Sequence, residues 1–152
     1  MKITVFGLGY VGSAMAVLLA EHHDVTAVDI STSRVAAVMA GRSPVVDSLI
    51  TEYLETRELS LRATTDAADA LPDADFVIIA TPTNYDTELD FFDTSSVEGV
   101  IAQVAEHAPT SAIVIKSTVP VGFTNRMRQE HPNLTLLFSR EFLREGRALY
   151  DN

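Results

Sequence analysis

Three glycines near the amino terminus are spaced in a way that suits the binding of a diphosphate. The run Gly7-Leu8-Gly9-Tyr10-Val11-Gly12 directly follows an apolar strand and opens an amphipathic helix. Gly7 permits a tight turn, Gly9 lets backbone amides approach an anion, and Gly12 lets the helix pack closely on the strand. The helix start adds free N–H donors and partial positive charge. Taken alone, the run is equally typical of a glycine-rich structural turn.

The acidic residue Asp29 ends the next predicted strand, roughly 20 residues after the first glycine, where a carboxylate can receive the hydroxyls of a ribose. Each such charge-assisted hydrogen bond contributes roughly 1.5 to 3 kcal/mol, whereas a 2′-phosphate meets like charge. The pattern therefore predicts a dinucleotide site that favours NAD over NADP. Asp29 also suits the start of a helix near Ser31. Arg34 could contact the adenosine end or a 2′-phosphate, or lie on a solvated helix face.

Three further loops with polar side chains follow predicted strands, at residues 81–84, 116–122 and 139–146. Each alone is typical of turn chemistry. Together they lie on the edge where open α/β sheets bind ligands, which favours a site. Lys116 could act on a substrate or pair with a carboxylate. Glu141 and Glu145 share a face only if their segment is helical.

The elements that must position these residues alternate along the chain. Apolar runs predict strands at residues 3–6, 25–28, 59–63, 76–80, 113–115 and 134–138. Helices are predicted at residues 31–40 and 47–57. Two more are predicted where apolar residues recur with helical spacing, beginning at Val11 and at Val97. Ser95 and Glu98 form a predicted capping box, and residues 81–93 are predicted to be coil. This order predicts a single domain over residues 1–152, a doubly wound parallel α/β sheet of Rossmann type.

The composition narrows the possible function classes. The 152 residues carry a net charge of −10 with scattered cations, so nucleic acid and anionic membranes are unfavourable partners. No apolar stretch approaches the roughly 20 residues that span a bilayer, and no signal peptide is recognised, so a cytoplasmic location is expected. The chain has no cysteine, which excludes a cysteine nucleophile within it. The four histidines end predicted helices, so no metal site is predicted.

Several of these segments together resemble the UDP-glucose dehydrogenase family (UDP-glucose/GDP-mannose dehydrogenases). The resemblance rests on GLGYVG at 7–12, Asp29, TPTNYD at 81–86, KSTVPVGFT at 116–124 and SREFLREGRALYDN at 139–152. It implies the N-terminal NAD-binding domain of an enzyme whose central helix and C-terminal substrate domain lie outside this chain. Enzymes of this kind oxidise the primary alcohol of UDP-glucose to UDP-glucuronate, using NAD twice and a thioester on a cysteine.

The resemblance also implies roles for individual residues. Cofactor contacts are implied for Gly7, Gly9, Tyr10, Val11 and Gly12 at the pyrophosphate, Asp29 and Arg34 at the adenosine half, and Thr83, Thr118 and Glu145 toward the nicotinamide. One wall of the nucleotide-sugar site is implied for Glu141, Phe142, Leu143, Arg144 and Glu145. The implied catalytic residues are Thr118, Glu141 and Glu145. Among these, Glu141 is the general base for water attacking the thioester, and Thr118 helps to hold that water.

The chain departs from the family pattern at two points. Arg140 stands where the family usually has proline, so Ser139 loses a backbone restriction. The catalytic cysteine is missing, so the chain alone is expected to bind NAD without turnover. We expect a monomer with an apolar patch at Phe142, Leu143 and Leu149, and a homodimer for the full-length enzyme. A GDP-mannose or UDP-N-acetylhexosamine dehydrogenase domain is one alternative, and a non-catalytic dinucleotide-binding module is another.

Overall fold

The computed structural model describes residues 1–87 and 91–152. Its elements, in chain order, are β1 (Lys2–Phe6), α1 (Tyr10–Ala20), β2 (Asp24–Val28), α2 (Thr32–Met39), α3 (Ser48–Thr56), β3 (Leu61–Thr64), α4 (Ala67–Ala70), β4 (Phe76–Ile79), β5 (Asn84–Asp86), β6 (Phe91–Asp93), α5 (Ser95–His107), β7 (Ala112–Ile115), α6 (Phe123–Glu130), β8 (Thr135–Phe138) and α7 (Ala148–Asp151). Strands and helices therefore alternate along most of the chain, as the hydrophobic pattern predicts.

Six strands form one parallel sheet in the order β3-β2-β1-β4-β7-β8. The chain extends the sheet from β1 to β3, returns to the other side of β1 at β4, and continues to β8. Phe6 pairs with Val28 on one side and with Ile79 on the other, so these three strands end level with one another. Ligands of such sheets bind beyond the carboxyl ends of the strands where the order reverses, here between β1 and β4. The predicted doubly wound parallel fold is confirmed.

Helices cover both faces of the sheet, which explains why the strands are apolar without alternation. A cluster under α5 and α6 includes Ile101 and Met127. A second cluster, under α1 and α2, surrounds Val5. A third joins α1, α3 and α7 through buried Ile50 and Leu149. The sheet therefore gives a rigid edge on which the loops are placed.

Local capping signals mark the starts of α2 and α3 correctly. Asp47 caps α3 with its carboxylate, and the Ser31 hydroxyl accepts from the Arg34 amide at the start of α2. Gly41, with φ +67°, follows the end of α2, as predicted. The predicted capping box is wrong, because α5 begins at Ser95 itself. The side-chain contact there is a hydrogen bond from the Thr94 hydroxyl to Glu98 at 2.6 Å.

Four short elements were not predicted from the sequence: the strands β5 and β6 and the helices α4 and α7. β5 and β6 pair antiparallel within the stretch expected to be coil, and part of that stretch, residues 88–90, lies outside the described residues. The helix α4 packs against the first cluster through Ala70, and α7 packs in the third cluster through Ala148 and Leu149. Each of the four is only three or four residues long, which is too short to show a clear hydrophobic period.

Candidate functional site

The glycine turn between β1 and α1 is shaped by close backbone contacts. Gly7 has φ +96°, and a Cβ on it would lie 2.5 Å from the Ala80 carbonyl oxygen beyond β4. A Cβ on Gly12 would lie 1.7 Å from the Gly7 carbonyl oxygen. Gly12 therefore packs on the turn itself, whereas the sequence predicts packing on the strand. These two positions admit only glycine, for different reasons: backbone conformation at Gly7 and space at Gly12.

Gly9 differs from the other two glycines because its side-chain position faces open space. A Cβ on Gly9 would meet no described heavy atom within 4 Å. Gly9 immediately precedes α1, whose first intrahelical bond runs from the Ser13 amide to the Gly9 carbonyl at 2.9 Å. The amides before Ser13 are the free donors of a helix start. An anion can thus approach these amides closely, and a side chain at Gly9 would stand in its way.

Asp29 lies directly beyond β2 and is 7% exposed. Its Oδ2 accepts from the Leu8 amide at 2.6 Å, and its Oδ1 accepts from the Ser31 amide at 2.8 Å. The carboxylate therefore joins the glycine turn to the start of α2. An ionised carboxylate has about four acceptor sites, so capacity for a diol is left. The Leu8 contact was not foreseen from the sequence.

Arg34 lies on the first turn of α2 beside this carboxylate. Its Nη1 is 3.6 Å from Asp29 Oδ2, and its side chain is half exposed. Arg34 is thus not on a purely solvated helix face, which was one of the three alternatives. It lies at the rim of the crevice described next.

A crevice of about 410 Å³ opens at the carboxyl ends of β1, β2 and β4. The predicted residues Gly7, Asp29 and Arg34 line it. Its opposite wall is α5, which the sequence analysis did not assign to the site. That wall consists of Ser95, Ser96, Gly99, Val100 and Gln103. The only sequence signal for it is the small residue Gly99 within a helix, where a side chain is otherwise expected.

Hydroxyl groups join the polar loops at the sheet edge. The Ser96 hydroxyl donates to the Pro82 carbonyl at 2.7 Å, and the Ser117 hydroxyl donates to the Thr81 carbonyl at 2.7 Å. The Thr83 hydroxyl donates to the Thr118 carbonyl at 2.8 Å. The predicted convergence of these loops is therefore observed, and Thr83 and Thr118 lie side by side.

A second crevice of about 260 Å³ lies at the ends of β7 and β8, lined by residues 116–121, Phe138, Arg140 and Glu141. Within it Lys116 Nζ lies 2.9 Å from Glu141 Oε2 and 3.3 Å from the Ser139 hydroxyl. The two charged side chains are only 12% and 15% exposed. Lys116 thus pairs with a carboxylate, one of the two alternatives that the sequence leaves open. The pair fixes Glu141 at the edge of the sheet.

We expect Lys116→Met to lower the free energy of unfolding by about 2 to 3 kcal/mol, because it leaves the largely buried Glu141 carboxylate without its cation. Urea denaturation measures this loss. Adding Glu141→Gln should restore most of it. The matched control is Lys2→Met, whose exposed pair with Asp73 should contribute less than about 1 kcal/mol. Equal losses for the two lysines would contradict a special role for the buried pair.

The segment that carries the predicted substrate wall is not helical between residues 139 and 147. Glu141 and Glu145 therefore do not share a helix face. Phe142 is 76% exposed, and the Arg140 guanidinium lies 4.5 Å from its ring centroid. Glu145 is exposed and lines neither crevice as far as the described residues define them.

The end of this segment folds back onto the domain. Leu143 packs against the third cluster and Leu149 is buried within it, so the predicted apolar patch is wrong for both and holds only for Phe142. Arg144 donates three hydrogen bonds to Asp151 from its amide, Nε and Nη2. The Arg144 side chain and amide lower the pKa of Asp151 to about 2. The Arg144 side chain is thus paired with Asp151 in this structure.

No three histidine, aspartate or glutamate side chains within 1–87 and 91–152 gather in a way that could hold a metal ion. No helix in the same ranges is both long and apolar enough to cross a membrane.

Comparison with known proteins agrees with this geometry. The family model for the NAD-binding domain of the UDP-glucose/GDP-mannose dehydrogenase family matches residues 1–152. UDP-glucose 6-dehydrogenase of Streptococcus pneumoniae is 48% identical over 152 residues, and that of Campylobacter jejuni is 40% identical over 154. Each match covers 100% of this chain and 39% of the relative, so the chain spans well under half of their length.

A solved structure extends the comparison to the fold. A ternary complex of GDP-mannose dehydrogenase from Pseudomonas aeruginosa superposes with a TM-score of 0.86 at 27% identity, covering 99% of this chain and 38% of that one. The resemblance inferred from the motifs is therefore confirmed. The family match over the full chain, the parallel sheet and the glycine turn agree, and the chain belongs to the UDP-glucose/GDP-mannose dehydrogenase family, of which it is the NAD-binding domain.

Proposed function

We propose that this chain is the NAD-binding part of a UDP-glucose 6-dehydrogenase, which oxidises the primary alcohol of UDP-glucose to the carboxylate of UDP-glucuronate. The observation that carries the proposal is the crevice at the carboxyl ends of β1, β2 and β4, which Gly7 of the glycine turn and the Asp29 carboxylate both line. The names of the two relatives above favour UDP-glucose over GDP-mannose as the substrate. The central helix and the substrate domain belong to the rest of the protein, which forms a homodimer.

Residues in the crevice and in the loops beside it are assigned to the parts of NAD in order. The amides of Tyr10, Val11 and Gly12 at the start of α1 receive the pyrophosphate, because no side chain at Gly9 blocks it. Asp29 receives the adenosine ribose with its remaining lone pairs, and Arg34 closes the rim. Thr83 and Thr118, joined by their hydrogen bond, lie toward the nicotinamide. Bound NAD supplies the oxidising power by accepting hydride from the substrate.

The second crevice supplies the substrate side. Of the proposed substrate wall, residues 141–145, Glu141 lines this crevice, and it accepts a proton from the water that releases the product. Lys116 holds one oxygen of Glu141, and the Phe142 amide donates to the other at 2.9 Å, so the carboxylate has a defined orientation. Thr118 lines the same crevice and helps to hold the water. The nucleophilic cysteine is supplied by the rest of the protein.

The test is turnover by the chain and by the full-length gene product. The 152-residue chain, supplied with UDP-glucose and NAD, is expected to give no steady rise of NADH absorbance, because it has no thiol nucleophile. The full-length protein is expected to form UDP-glucuronate. Calorimetric titration of the chain should show tighter binding of NAD than of NADP. Steady turnover by the chain alone, or a full-length protein that oxidises only GDP-mannose, would overturn the proposal.

A further inference from the structure

Asp47 is a buried acid that caps two helices from distant parts of the chain. The residue is 3% exposed, and its carboxylate accepts three backbone hydrogen bonds. Oδ1 accepts from the Leu49 amide at 3.0 Å and from the Ile50 amide at 3.1 Å, both in the first turn of α3. Oδ2 accepts from the Ala148 amide at 2.7 Å, at the start of α7. One carboxylate thus determines where both helices begin.

The Ala148 contact holds a segment that has little local stability. α7 has only four residues, and a helix of that length is not stable without tertiary contacts. Ala148 and Leu149 are buried against α1 and α3 in the third cluster. The Asp47 hydrogen bond satisfies the helix-start amide that this burial removes from water. Asp47 therefore fixes the position along α3 at which the C-terminal segment docks.

The backbone near Asp47 also contacts the segment just before α7. Gly146 has φ +78°, and a Cβ on it would lie 3.5 Å from the Val46 carbonyl oxygen. Leu143 and Val45 pack against the same third cluster. At its other end the segment is held by the Lys116 contact to Glu141 at 2.9 Å. Residues 141–146 thus run between two anchors, one at each side of the domain.

We propose that Asp47 is a positioning residue for the nucleotide sugar: by holding Ala148 it sets the course of residues 141–146, of which 141–145 form the proposed substrate wall. This inference rests on the proposed function. Asp47 lines neither crevice and lies in a different loop from the glycine turn and Asp29. Its loss should therefore weaken the binding of the nucleotide sugar while leaving the binding of NAD unchanged, a split that general destabilisation would not produce.

Asp47→Asn is the discriminating variant. Asparagine is as good an N-cap as aspartate, so its single oxygen can keep α3 capped. Its NH₂ group then faces the Ala148 amide and cannot accept from it. In hydrogen exchange of the 152-residue chain, we expect the Ala148 amide to exchange about tenfold faster or more. We also expect the other amides of residues 141–151 to exchange faster. Exchange in the glycine turn and the affinity for NAD should stay within about twofold.

In the full-length enzyme, the same variant should raise KM for UDP-glucose roughly tenfold, since a small misplacement of the wall is costly, while KM for NAD is unchanged. Gly146→Ala is an independent variant, because it strains the same segment at φ +78° without altering either cap. The control is Asp66→Asn, an exposed cap of α4 that accepts only from Ala68 at 2.9 Å and should change nothing.

Each outcome bears on the proposal. Faster exchange in 141–151 together with a rise in KM for UDP-glucose alone supports it. If exchange at the Ala148 amide is unchanged in Asp47→Asn, Asp47 does not hold the C-terminal segment. If exchange is faster but KM for UDP-glucose is unchanged, Asp47 does not position the substrate wall. Equal rises in KM for both substrates indicate general destabilisation and also overturn the proposal. If the unmutated full-length protein does not oxidise UDP-glucose, the proposed function fails by that result. The exchange data still show whether Asp47 holds the C-terminal segment.

Discussion

Gly12→Ala is expected to abolish NAD binding and to lower the free energy of unfolding by about 3 kcal/mol or more. The added methyl group would lie 1.7 Å from the Gly7 carbonyl oxygen, which belongs to rigid backbone. Overpacking against side chains usually costs about 1 to 3 kcal/mol, and a backbone neighbour can move less than a side chain. The start of α1 must therefore shift, and the amides that receive the pyrophosphate shift with it. Thermal unfolding and calorimetric titration with NAD measure the two effects.

The matched variant is Gly9→Ala, three residues earlier in the same turn. Its methyl group would meet no described heavy atom within 4 Å, and Gly9 already has an extended backbone with φ −78°. We expect the unfolding midpoint to stay unchanged while NAD affinity falls, because the methyl group fills the approach to the amides. If Gly12→Ala bound NAD as the parent does, or if Gly9→Ala had no effect on affinity, the geometry assigned to the turn would be incorrect.

Asp29→Ala is expected to weaken NAD binding by about 100-fold or more and to erase the preference for NAD over NADP. Charge-assisted bonds of roughly 1.5 to 3 kcal/mol each are lost at the ribose. The variant also removes the acceptor for the Leu8 amide at 2.6 Å, so the glycine turn loses a contact at the same time. Calorimetric titration with both dinucleotides measures the change in preference.

Asp29→Asn separates these two effects. The single oxygen of asparagine can still accept from the Leu8 amide, while the contact with the Ser31 amide is lost. The side chain carries no charge, so Arg34 also loses its partner at 3.6 Å. We expect NAD affinity to fall about tenfold and NADP affinity to rise, because the freed guanidinium can receive a 2′-phosphate. The control is Asp24→Asn at the opposite end of β2, which should affect neither dinucleotide. An unchanged ratio of the two affinities in Asp29→Asn would contradict the assigned role.

Much of the fold could be predicted because its signals are local. The strands at 3–6, 25–28 and 76–80 are short apolar runs bounded by turn residues, and such runs are paired in a parallel sheet whenever helices alternate with them. Whether residues 139–147 are helical was left open by the sequence. The two glutamates have the spacing of a helix face, yet the segment is not helical: Glu141 contacts Lys116, Arg144 contacts Asp151, and residues 145–146 form a turn.

Part of the candidate site could also be predicted from the sequence, and part could not. The glycine turn and Asp29 were found from the sequence because the chemistry of an anion site at a helix start demands particular residues at fixed spacing. The α5 wall with Gln103 and the link from the Thr83 hydroxyl to Thr118 were not found. Nothing in the spacing of these residues along the chain indicates which neighbours they acquire across the sheet.

The sequence alone determined the strands of the parallel sheet and the longer helices between them, the glycine turn, the acidic residue beyond β2 and the family, since each is encoded in neighbouring residues. Only the tertiary structure decided that Lys116 pairs with Glu141, that Asp29 binds the glycine turn through Leu8, and that Asp47 caps a helix at Ala148. The physical reason is that a charged or polar side chain has many possible partners along the chain. The packing of distant elements decides which of them lies within hydrogen-bond distance once the side chain is buried.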